Sequence, residues 1–69
     1  MPPIDATYIS DWTLLKRGDD VIALEKTAEH RGRVDAVADD GLIMWLHLEG
    51  GRGRRLFASA DDVLVRRLS

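Results

Sequence analysis

The sequence contains no cysteine, so neither a disulfide framework nor a thiolate zinc site is available to its 69 residues. The loss matters because a chain this short buries only about 60% of the surface its unfolded form exposes. A single core of that size supplies roughly 3–5 kcal/mol of net stability. Self-association is one remaining source of buried surface. Proline is confined to Pro2 and Pro3, where it blocks a helix start. Aromatic residues are scarce: Tyr8, Trp12, Trp45 and Phe57 are the full set. No apolar run approaches the ~20 residues that cross a bilayer. The N-terminal stretch MPPIDATYIS has neither the basic nor the apolar region of a signal peptide. A cytosolic protein without membrane contact is expected, and the missing cysteine fits a reducing compartment.

What is present is an ordinary globular mixture, 45% hydrophobic and 32% charged. A net charge of −2 argues against indiscriminate attraction to nucleic acid. The charges are nevertheless segregated. Acidic pairs stand at Asp19-Asp20, Asp39-Asp40 and Asp61-Asp62, and arginines gather at 31/33, 52/54/55 and 66/67. Such clustering can give an acidic protein one cationic face. Arginine outnumbers lysine 8 to 2, which fits phosphate recognition and also the codon usage of a GC-rich genome.

Along the chain, either Ser10 or Asp11 caps one helical turn over residues 12–16, with Gly18 ending it, or the segment approaches the first strand in extended form. Trp12, Leu14 and Leu15 are apolar enough to close one end of a core. From Asp20 the period becomes two. Residues 21–24 read as a first strand, 26–30 as a polar loop, and 33–38 as a second strand with Gly32 bending or bulging the backbone before it. Asp39-Asp40-Gly41 is a hairpin turn. Residues 54–58 and 63–68 are the fourth and fifth strands, with a single turn between them capped by Ser59.

The third strand, residues 42–48, sets the orientation of the sheet. Its even positions, Leu42, Met44, Leu46 and Leu48, are all apolar, and its odd positions are Ile43, Trp45 and His47. Alternate side chains face opposite sides, so the even set is the core face. Trp45 then points outward or packs under Trp12 or Leu15.

Five short strands at near-regular spacing indicate an all-β domain, a small closed or nearly closed barrel. The run Arg17-Gly18-Asp19-x-Val21-x-Ala23, followed by Gly32-Arg33-Val34 and Asp40-Gly41, resembles the SH3-like small barrels of the KOW and Tudor type. The resemblance covers residues 17–68. It implies a five-stranded barrel, placed over residues 18–69, and residues 1–17 read as an irregular or single-turn helical lead packed on it. It also implies partners such as RNA, DNA, nucleoprotein complexes or short peptides. Compared with a Tudor module that reads methylated side chains, the chain has few aromatics, and compared with a nucleic-acid-binding KOW module it is less basic.

The glycine-rich loop Gly50-Gly51-Arg52-Gly53-Arg54-Arg55 is a candidate anion site. Glycine lets a ligand approach the backbone, and arginine offers fork-shaped donors for phosphate. A flexible hairpin with solvated charges explains the same residues. Joined by Arg31 and Arg33, the loop would form a nucleic-acid or anion surface. Ile43, Trp45 and His47 form a second candidate, an interaction face or stacking platform. His30 and His47 lack the spacing of a metal-ligand set, and Asp61-Asp62 is explained by the turn it occupies. No metal, cofactor or catalytic constellation is expected. The expected function is a non-enzymatic binding module contacting nucleic acid or a nucleoprotein complex through Arg31, Arg33, Arg52, Arg54 and Arg55. The alternative is a protein-interaction or self-association module using the outward face of the third strand.

Overall fold

The computed structural model describes residues 8–68; the proline-blocked start expected at the N-terminus lies outside the described residues. Five strands follow one another: β1 (Asp20–Glu25), β2 (Ala28–Val37), β3 (Ile43–Leu48), β4 (Gly53–Ala58) and β5 (Val63–Arg67). Single 3-10 turns occupy Trp12–Leu14 and Ser59–Asp61. All pairings are antiparallel, in the order β4-β3-β2-β1-β5. The domain is all-β, as expected. The first four strands form a meander, and β5 returns to the far side of β1. Among the described residues β4 and β5 do not pair, so they are the two edges of the sheet.

One face of this sheet carries the core. Val21 and Ala23 of β1, Val34 of β2, Met44, Leu46 and Leu48 of β3, Phe57 of β4, and Val63 and Val65 of β5 are all buried together. Each strand contributes alternate residues, as the pleat requires. The assigned phase of β3 holds at Met44, Leu46 and Leu48. Leu42 is the exception, 56% exposed, because the preceding turn takes four residues and the strand begins only at Ile43. In that turn the Gly41 N–H donates to the Ala38 carbonyl at 2.8 Å, and the Leu42 N–H to Asp40 Oδ1 at 3.0 Å.

The N-terminal lead completes the core. Asp11 caps the first 3-10 turn, accepting from the Thr13 N–H at 3.0 Å and the Thr13 hydroxyl at 2.6 Å. The hydroxyl is the larger cause of a lowered Asp11 pKa, with the backbone bond second. Side chains three apart eclipse in a 3-10 turn, so Trp12 and Leu15 both enter the core while Leu14 is turned to solvent. That corrects the expectation for Leu14. Upstream, the Ile9 N–H donates to the Val65 carbonyl at 2.7 Å, so the lead covers part of the β5 edge.

β2 holds the two halves of the sheet together. Its first residues pair with β1 and its last with β3, and Gly32 belongs to both ladders. A Cβ at Gly32 would lie 2.6 Å from the His47 carbonyl oxygen. Gly32 is therefore a point of close backbone approach, not the expected bend or bulge before a strand. The register breaks instead between Val34 and Ala36, at Asp35, where an extra residue adds local twist.

Two further expectations are corrected. Residues 26–30 are not a loop: the chain reverses at Lys26-Thr27, and Glu29 and His30 already pair with Leu24 and Ala23. Lys26 adopts φ 56 without glycine, so the turn carried none of the usual signals. Ser59 makes no side-chain cap; its N–H donates to the Leu42 carbonyl at 2.9 Å, and Asp62 at φ 57 ends the turn.

Candidate functional site

The five arginines expected to act together are separated by the pleat. Arg31, Arg33 and Arg54 project from the outer face, as their pairing with Ile22, His47 and again His47 shows. Arg55 lies opposite Leu46 and so projects from the core face. Arg52 is exposed in the turn before β4. Four of the five are also neutralised by carboxylates. Arg31 meets Glu49 at 3.2 Å, Arg33 meets Asp20 at 3.4 Å, Arg54 meets Asp35 at 2.8 Å and Arg55 meets Glu25 at 2.7 Å. Only Arg52 has no ion pair among the described residues.

Arg55 belongs to a cluster that sequence reasoning missed. Its guanidinium donates to both oxygens of Glu25, at 2.7 and 2.9 Å, and lies 3.1 Å from His30 Nε2. It also covers the Phe57 ring at 4.8 Å. The fork geometry matches a carboxylate well, and the Arg55 hydrogen bond is the leading cause holding Glu25 below the usual carboxylate range. This contact ties the edge strand β4 to the end of β1 without any backbone bond between them. His30 is 7% exposed and its Nδ1 has no hydrogen-bond partner among the described residues.

Ile43, Trp45 and His47 do share the outward face of β3. Ile43 is 41% exposed, His47 is exposed and Trp45 is half-buried. Trp45 is not among the side chains packed against the core, so it does not sit beneath Trp12. Its cover is Arg54, whose guanidinium stacks 4.5 Å from the ring centroid. That contact contributes about 0.5–1 kcal/mol at an exposed site, and the Asp35 carboxylate holds Arg54 in place.

The pairing register extends the apolar surface beyond β3. Ala36 of β2, Trp45 of β3 and Leu56 of β4 lie in one row across three strands, with Ile43 and Ala58 in the next. Leu56 is 45% exposed. It was not among the expected site residues, although simple alternation places it opposite in phase to Phe57. The row ends at the free edge of β4, with the Arg54–Asp35 pair on its flank.

On the other side of His47 lies an open cleft of about 430 Å³, lined by residues including Arg17, Asp20, Arg33, His47 and Glu49. Its charges alternate in sign, which suits no single class of ion. Among the described residues no group of three or more His, Asp or Glu side chains could hold a metal. None of their helices is long and apolar enough to cross a membrane. No protein-family model, curated protein or solved structure matches the chain.

Proposed function

We propose that this chain is a non-enzymatic, cytosolic binding module of SH3-like architecture whose docking surface for protein is the outer face of β3 and β4. The carrying observation is the row Ala36–Trp45–Leu56 on the outer face, with Trp45 half-buried beneath Arg54 and exposed Ile43 and Leu56 beside it. An apolar patch with an aromatic anchor and a charged flank has the composition of an interface centre. The SH3-like assignment is supported by the four-strand meander, the return of β5 to β1 and the 3-10 turn between β4 and β5. Photo-crosslinking in cells from positions 43 and 56 tests the surface. Adducts with a defined protein, lost in Trp45→Ala, are expected. Labelling no stronger than from Glu29, on the outer face of β2, refutes the proposal.

A KOW-like contact with nucleic acid is the second function in play, favoured by Arg52, which has no ion pair among the described residues, and by the solvent exposure of Arg31 and Arg33, whose side chains are 61% and 67% exposed. Each phosphate neutralised on duplex DNA contributes about −0.9 to the log–log salt slope. Replacing Arg31, Arg33 and Arg52 with alanine should flatten that slope by about 2–3 units. Undetectable DNA and RNA binding at low salt eliminates it.

A further inference from the structure

The two edges of the sheet are treated differently by the rest of the chain. The β5 edge is partly covered by the backbone of Ile9. The β4 edge has no strand or bridge against it among the described residues. Which of its backbone groups point outward follows from one hydrogen bond. Ser59 N–H donates to the Leu42 carbonyl, so in the unbroken β3–β4 register the odd-numbered residues of β4 bond to β3. The N–H and C=O groups of Arg54 and Leu56 are thereby directed at the open edge.

Exposed edges are normally guarded by charge. Here both arginines that could serve are held elsewhere, Arg54 on Trp45 and Asp35, Arg55 on Glu25. Among the described residues, what the edge presents is an unpaired ladder with Leu56 at its middle.

We propose that a second copy of this chain docks on this edge, β4 against β4 in antiparallel register about a two-fold axis at Leu56. The inference rests on the outer face of β3 and β4 being a protein-docking surface, and it names the partner. Strand chemistry selects the register. Centring on Leu56 places the two Leu56 residues as a hydrogen-bonded pair and sets Arg54 opposite Ala58 of the second copy. Centring on Arg55 would oppose two arginines, a destabilising pair. In the Leu56 register the apolar row continues without interruption from Ala36, Trp45 and Leu56 into Leu56, Trp45 and Ala36 of the second copy. An isologous pairing also consumes both bare edges and stops there, whereas pairing to an unlike edge would propagate. The chain's small core gives such burial a disproportionate effect.

Sedimentation equilibrium on the full chain tests this, with amide exchange read residue by residue. The wild type should dimerise, and the Arg54 and Leu56 amides should become protected as concentration rises. Leu56→Lys sets two ammonium groups face to face across the axis and should weaken the dimer at least about 30-fold, a hot-spot effect. Leu56 is solvent-facing in the single chain, so circular dichroism should show an unchanged fold. Glu29→Lys, on the outer face away from this edge, should dimerise like the wild type. A wild type that stays monomeric to about 1 mM overturns self-pairing. So does a dimer that Leu56→Lys leaves intact or whose edge amides stay unprotected. A monomer whose position-56 crosslinks reach a foreign protein overturns the second copy alone. A monomer with no outer-face crosslinks overturns the docking surface as well.

Discussion

Gly32→Ala is the sharpest probe of how the two halves of the sheet are joined. Two effects oppose each other at this position. Replacing a strand glycine with alanine removes backbone entropy from the unfolded chain and gains roughly 0.5–1 kcal/mol. Against this, the new methyl would lie 2.6 Å from the His47 carbonyl oxygen and 3.2 Å from the Leu48 Cα. Both are backbone atoms, so no side-chain rotation relieves the contact. β2 and β3 must separate by roughly half an ångström, at a site where β2 also pairs with β1. Forced overpacking of this kind costs about 1–3 kcal/mol. The clash wins, with a net loss of ~1–2 kcal/mol. For a domain of this size that lowers the melting temperature by about 4–16 °C. Urea and thermal unfolding followed by tryptophan fluorescence measure it, Trp12 being buried in the core. Gly51→Ala is the comparison: it has no atom within 4 Å of the added carbon but a φ of 72, so it pays only the left-handed penalty of ~1 kcal/mol. A Gly32→Ala protein as stable as the wild type would refute the close approach of β2 and β3.

Met44→Asp places an unpartnered carboxylate at a fully buried site on the core face of β3; a cost of several kcal/mol exceeds the stability expected of this core, and the variant should be unfolded by circular dichroism. Glu25 binds its proton less readily in the folded chain than the ordinary value of 4.5. Its contribution is therefore present in full above that value and is lost as pH falls through the lowered one. Urea melts of wild type and Glu25→Gln should differ near pH 7 and converge in acid, and a gap that persists unchanged at pH 2–3, below the carboxylate range, contradicts the Arg55–Glu25 pairing. His30→Leu removes a buried Nδ1 that has no partner among the described residues while leaving the Arg55–Glu25 fork in place, so stability should hold or rise by about 1 kcal/mol; a loss above ~2 kcal/mol would show that the contacts of His30 Nε2 with Arg55 and Glu25 outweigh that Nδ1.

The orientation of β3 was legible from seven residues because a period of two leaves only one face for Met44, Leu46 and Leu48. The arginine loop misled for the same reason in reverse. Arg54 and Arg55 are neighbours in sequence, yet the pleat sends one to the outer face beside Trp45 and the other to the core side beside Glu25. Their carboxylate partners lie 19 and 30 residues away in sequence, Asp35 on β2 and Glu25 on β1. No local spacing rule connects such positions. The turn at Lys26-Thr27 was hidden because its left-handed residue is a lysine, and His30 was placed in a loop as a consequence.

Alternation, turn chemistry and apolar spacing are properties of neighbouring residues, and they alone determined that this is an all-β chain, where its third strand lies and which face of that strand is buried. Strand order, the bulge at Asp35, the edge position of β4 among the described residues and the row Ala36–Trp45–Leu56 were decided by tertiary structure. Each depends on which strands pair and where the register shifts: turn length and alternation set the register of a simple hairpin, but the shift at Asp35 and the pairing of β5 with β1 are written in no local pattern.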